Sequence, residues 1–198
     1  VKHDISNPER LQREARKQTL NKGIGTKSQQ ALQLQREELL IAQINEVKSK
    51  SKNTNTMEKE IIYKTILGDD PQKVTEAILY AINELGADLV LCTGGMSVDP
   101  DDKTPLAIKN TGADIVSYGA PVLPGAMFLL SYYKGNVPVV GLPGCVMYAK
   151  RTIFDLVLPR LMADDKVTEA ELANLGEGGL CLNCEICTFP KCGFGKGW

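Results

Sequence analysis

The sequence is short of histidine and aromatic residues, contains no long apolar run and carries almost no net charge. His3 is the only histidine; it lies in the N-terminal arm and is assigned no role. No segment approaches the eighteen or so apolar residues of a membrane span, which excludes a helical anchor. The opening residues, VKHDISNPER, lack the charged-then-apolar layout of a signal peptide, so a cytoplasmic protein is expected. With 23 Lys and Arg against 24 Asp and Glu, the formal net charge is -1. That balance gives no reason to expect a nucleic acid or a membrane as partner. A length of 198 residues suits one domain with an appendage, and its core needs no covalent staples.

What charge there is lies unevenly. Residues 1–60 hold twelve Lys and Arg against eight Asp and Glu, and the remainder eleven against sixteen. From Asn7 to Lys52 there is no Phe, Tyr or Trp, and the stretch is rich in Gln, Lys, Arg and Glu. Two helical patterns, Pro8 to Leu20 and Lys27 to Val47, flank the break NKGIG. SKSKNTNT, residues 49–56, has nothing apolar to bury and reads as a linker. Three segments are expected: a basic, Gln-rich helical arm with linker over 1–57, an α/β domain over 58–165, and a C-terminal extension over 166–198.

Beyond residue 57 strands and helices alternate. EIIYKTILG reads as a strand; Asp69 or Asp70 with Pro71 opens a helix that Gly86 stops, carrying Val74, Ile78 and Ile82 on one face. ADLVLCT is an apolar strand of the kind buried inside parallel sheets. TPLAIKNTG predicts a short helix, DIVSYGA and AMFLLSYY further extended pieces, VPVVGLPG another buried strand, and CVMYAKRTIFDLVLPRLM one long amphipathic helix. The alternation predicts a three-layer α/β/α domain around a mostly parallel sheet, preceded by the helical arm.

Two loops follow strands, where sheets of this class bind ligands. In Thr93-Gly94-Gly95-Met96-Ser97 adjacent glycines let backbone amides approach an anion, and Asp99, Asp101 and Asp102 follow closely. Gly141-Leu142-Pro143-Gly144 leads into the helix expected from Cys145, whose free amides and dipole suit a phosphate. The bland alternatives are glycines needed by any strand-to-helix turn, and Asp99 or Asp101 capping the helix at Thr104-Pro105.

Six cysteines complete the inventory. Cys92 and Cys145 stand beside the two glycine loops, one of them as a soft metal ligand or both as small interior residues. Cys181, Cys184, Cys187 and Cys192 crowd together at spacings of three, three and five. In a reducing compartment such crowding points to metal: one tetrahedral ion such as zinc, or an iron–sulfur cluster. The first three match the C-x2-C-x2-C run of ferredoxin-type sites, so the cluster is preferred. Four unligated thiols in a loose tail are the alternative.

TGGMSVDPDDKTP, followed some forty residues later by GLPG and preceded by GDDP, resembles the molybdopterin-binding domain shared by the MogA, MoaB and MoeA proteins of molybdenum cofactor biosynthesis. SYGAPVLPGAMFLL, GLPGCVMYAKRTIFDLVLPRL and the cysteine-rich tail look like a subgroup of the same family. The resemblance implies that molybdopterin, or the molybdenum cofactor, is held by Thr93, Gly94, Gly95, Met96, Ser97, Asp102, Gly141, Leu142, Pro143 and Gly144. It makes Asp102 the candidate catalytic carboxylate, with Mg2+ as a candidate companion, and suggests a homo-oligomer. The activities it implies are adenylyl transfer to the pterin phosphate or molybdate insertion. Family domains open with a strand, glycine loop and helix that have no counterpart in residues 1–59, so the sheet is expected without its first strand. Pro124-Gly125-Ala126-Met127 stands where Pro-Gly-Lys-Pro is usual, and Cys145-Val146-Met147 where adenylyltransferases have Ser-Pro-Lys. Binding is therefore favoured over catalysis. Residues 5–38 resemble the tail of small YjdF-type proteins, which makes a fusion of unrelated pieces, without ligand binding, the third reading.

Overall fold

The structure, a computed structural model, describes residues 61–97, 99 and 101–196. The expected arm, its linker and the boundary at residue 57 lie outside the described residues. Helix α1 spans Pro71–Asn83. Asp70 caps it, its carboxylate accepting from the N–H groups of Gln72 at 3.0 Å and Lys73 at 3.4 Å, with Pro71 at the first helical position where no N–H is needed. The end is closed by Ala87 N–H donating to the Ala81 carbonyl across Gly86.

Four strands follow: β1 Val90–Thr93, β2 Asp114–Tyr118, β3 Leu129–Tyr133 and β4 Val137–Leu142, with helix α2, Thr104–Asn110, between the first two. Their order in the sheet is β1-β4-β3-β2. The α/β class is as expected, but these strands form a mixed sheet: β1 runs parallel to β4, while β4 with β3 and β3 with β2 are antiparallel. The reason is local. Only Lys134, Gly135 and Asn136 separate β3 from β4, and Lys134 and Gly135 take left-handed φ values of 50° and 75°. A connection that short makes a hairpin, since a parallel crossover needs a dozen residues or more.

Pairing register sorts the side chains. Leu129 and Val139 lie on one face with Ile78 of α1, Ile108 of α2 and Met96, and with the half-buried Val74, Ile82, Val90 and Cys92. Leu130, Val140 and Leu142 are fully buried on the other face. Helix α3, Ile153–Met162, turns Ile153, Phe154, Val157, Leu158 and Leu161 inward. Beyond it the Tyr132 hydroxyl accepts from Val167 N–H at 2.8 Å, so the chain after α3 returns over that second face. Helix α4, Glu169–Asn174, closes the series of α-helices.

Two expected elements take other forms. Residues 61–68 of the strand predicted over EIIYKTILG pair with no described strand, and Ile61, Ile62, Tyr63, Ile66 and Leu67 are exposed. Apolar alternation makes a strand only where a ladder partner exists. Here the contact is instead the Tyr63 ring set edge-on to Tyr80 of α1, centroids 5.7 Å apart. The long helix predicted from Cys145 is two pieces: a 3-10 turn over Gly144–Met147 and then α3. What divides them is a capping box, Thr152 with Asp155, which starts a new helix at Ile153.

Candidate functional site

Thr93 ends β1 and Leu142 ends β4, and the two are register partners in the parallel pair. The two glycine loops therefore leave the sheet side by side at the carboxyl ends of neighbouring strands, the position at which α/β sheets bind ligands. They are also joined. Met96 is 2% exposed, and a Cβ placed on Gly141 would lie 2.6 Å from its Cε and 2.8 Å from its Sδ. Of the residues expected to bind, Met96 and Leu142 are thus interior; their side chains fix the loops against the core.

Gly94 and Gly95 take φ values of 85° and 57°, a region that costs other residues about 1–2 kcal/mol. Gly95 is doubly constrained, because its Cβ would meet Thr104 Oγ1 at 2.8 Å. That Thr104 hydroxyl donates to the Gly94 carbonyl at 2.8 Å and ties the loop to the start of α2. Asp102 holds the far side, its Oδ2 accepting from Ser97 N–H at 2.5 Å. Between them Asp99 N–H donates to Ser97 Oγ at 3.1 Å, and Asp101 N–H to Asp99 Oδ1 at 3.0 Å. Neither Asp99 nor Asp101 caps α2, whose N-cap is Lys103 with no side-chain cap bond. The acidic cluster is an ordered set of turns with Asp102 as its clasp. Thr104 is the residue that motif spacing alone did not single out.

On the other loop Pro143 is extended and buried, Gly144 is exposed, and the 3-10 turn closes with Val146 N–H on the Pro143 carbonyl at 3.1 Å. The expected dipole of a long helix is not behind this loop. A single turn leaves only its first amides, those of Gly144 and Cys145, without partners inside the turn. Cys92 packs against the core cluster, and burial pushes its thiol up to about 12; Cys145 is raised too, chiefly by burial. Cys92 is thus an interior thiol, while Cys145 is only partly buried.

The tail cysteines lie apart from the glycine loops. Cys181, Cys184, Cys187 and Cys192 all line one hollow of about 780 Å³, and no residue of Thr93–Ser97 or Gly141–Gly144 borders it. Among the described residues no three His, Cys, Asp or Glu side chains converge as a single-ion metal site would require. Cys187 is lowered from the ordinary thiol range, first by a bond from Phe189 N–H and next by the Arg151 side chain. Lys150 and Arg151 also border the hollow, a feature that no cysteine spacing announces.

The family model described as "Probable molybdopterin binding domain" matches residues 39–163, well over half of the 198. The chain belongs to this molybdopterin-binding domain family. Its match starts at residue 39, inside the stretch expected to be a foreign arm. A second model, described as a protein of unknown function (DUF2992), matches residues 1–69 and overlaps the first. No curated protein matches the chain. In this molybdopterin-binding domain no helix of the described residues is long and apolar enough to cross a membrane.

Proposed function

We propose that the protein binds molybdopterin, or the molybdenum cofactor, by its phosphate between the Thr93–Ser97 and Gly141–Gly144 loops, and that it handles the cofactor during its biosynthesis. The observation that supports this best is the pairing of Thr93 with Leu142, which brings both loops to one edge of the sheet. The binding groups are backbone amides of Gly94, Gly95 and Gly144 and the hydroxyls of Thr93 and Ser97. Asp102 spends Oδ2 on Ser97, and Oδ1 carries no bond among the described residues. That oxygen is the one available to a Mg2+ ion accompanying the phosphate, a hard oxygen donor suiting a hard cation.

Binding is favoured over adenylyl transfer or molybdate insertion because Ala126-Met127 and Cys145-Val146-Met147, where family enzymes carry lysine, supply no charge for a leaving phosphate. The reading includes a cytoplasmic, homo-oligomeric protein whose first residues derive from a separate family, and a metal on the tail cysteines, taken up below.

Fluorescence titration with molybdopterin tests it. Saturable binding is expected, weakened at least tenfold by Gly95→Ala and by Asp102→Ala, the second freeing the loop clasp. Protein that shows no saturable change defeats the reading and leaves the fusion without a ligand. AMP-pterin formed from ATP and Mg2+, and lost in Asp102→Ala, replaces it with an active transferase.

A further inference from the structure

We propose that Cys181, Cys184, Cys187 and Cys192 hold a four-iron iron–sulfur cluster in the tail hollow, with Lys150 and Arg151 as its charge-compensating neighbours. The proposal is independent of the pterin reading, since the hollow shares no residue with the glycine loops.

Backbone bonds fasten the tail on either side of the cysteines. Before the cysteines, Leu123 N–H donates to the Gly179 carbonyl at 2.5 Å and Cys181 N–H to the Leu123 carbonyl at 2.8 Å, a short parallel bridge to the body of the domain. After them, Gly195 N–H bonds to the Gly178 carbonyl, and Phe194 is buried. Between these anchors residues 181–192 form only bends and turns, while Leu182 and Ile186 are 77% and 81% exposed. Such a loop has no core of its own, and in small units of this kind bound metal supplies the missing cohesion.

Charge points the same way. The ionisable wall of the hollow, cysteines apart, is Lys150, Arg151, Lys196 and Glu177, formally two positive charges in excess. Arg151 is held by Asp155 at 2.8 Å and stacks over Phe189 at 4.8 Å, and Lys150 Nζ donates to the Cys184 carbonyl at 3.3 Å. Four thiolates around a doubly positive four-iron cluster carry two negative charges, which the excess of cations on this wall offsets in part. Assembly from such a cluster, or from two ferrous ions, two ferric ions and four sulfides, forms four Fe–S(Cys) bonds and releases the four thiol protons, with no net change of oxidation state. The sulphurs border the hollow without converging on a point. A cluster is the wider of the two targets, because each thiolate takes a different iron, whereas a lone zinc needs all four sulphurs about 2.3 Å from one centre.

The test uses the full chain purified without oxygen. Iron and acid-labile sulfide at about four each per chain are expected, with a brown absorption that dithionite bleaches. Cys184→Ser and Cys187→Ser are expected to lose at least three quarters of the iron while keeping the wild-type circular dichroism, both residues being exposed. Lys150→Gln is expected to keep the iron and lower the cluster's reduction potential, since removing a cation disfavours the added electron. Zinc in place of iron, serine variants that retain full iron, or wild-type protein that takes up no cluster from equal amounts of ferrous and ferric iron with sulfide each overturn the proposal.

Discussion

Met96 and Gly141 show how one atom decides whether two loops stay together. A methyl group at residue 141 would sit 2.6 Å from Met96 Cε and 3.2 Å from Leu129 Cβ. Overpacking of this kind costs about 1–3 kcal/mol, and methionine's flexible end places Gly141→Ala near the lower figure. Met96→Ala alone is expected to cost about 2–5 kcal/mol as a buried side chain. The double variant should lose less than the sum, because truncating Met96 removes the atoms that the new methyl strikes. Urea unfolding of the four proteins measures this; additivity within about 0.5 kcal/mol would mean that the two side chains do not meet. Residue identities such as Thr-Gly-Gly and Pro-Gly were legible in the sequence as loop chemistry. The Met96–Gly141 joint was not, because it depends on which strands are neighbours.

Helices in this chain were legible wherever the capping residue preceded an unbroken apolar stripe. Asp70-Pro71 with Val74, Ile78 and Ile82 gave α1 to within two residues of its observed end. The same reasoning ran past Thr152, since VMYAKRTIFDL is apolar enough to read as one helix; the T-x-x-D signature inside it was the available signal. Likewise the Gly within LSYYKGNVPVV marks a hairpin, and it separates a mixed sheet from a parallel one. Helix α4 offers a pH test of capping. Glu171 is held down to about 2, first by the Thr168 hydroxyl, then by Thr168 N–H and the Arg160 guanidinium, whose Nη2 lies 2.6 Å from it. A carboxylate with a lowered folded-state pKa adds stability that is complete above its ordinary value of 4.5 and disappears as pH falls through that value toward 2. Glu171→Gln should therefore melt below the wild type at pH 7, with the gap closing between about pH 5 and 2. A gap that stays constant over that range would remove the carboxylate from the cap.

Over the whole molecule the C-terminal segment expected as an extension is continuous with the interior. Val167 and Leu172 are 1% exposed and Phe194 5%, and Val167 N–H meets the Tyr132 hydroxyl beneath the sheet. Each such side chain contributes about 1.5–3 kcal/mol on burial, so the three together amount to about 5–9 kcal/mol, comparable to the entire stability of a typical domain. Sequence composition could not reveal this, because the apolar residues of the segment are spread among its glycines and cysteines without a sustained helical or strand period. A chain ending at residue 165 should consequently lose cooperative thermal unfolding and bind a hydrophobic dye such as ANS, since Tyr132 would lose its cover. Replacing only the four cysteines by serine should leave the unfolding transition cooperative, because two of them are exposed and none belongs to the buried core. Comparing the two variants by calorimetry separates packing from metal ligation. If the truncated chain unfolds as sharply as the full one, the tail is an appendage, and its apolar residues cover nothing that the fold requires.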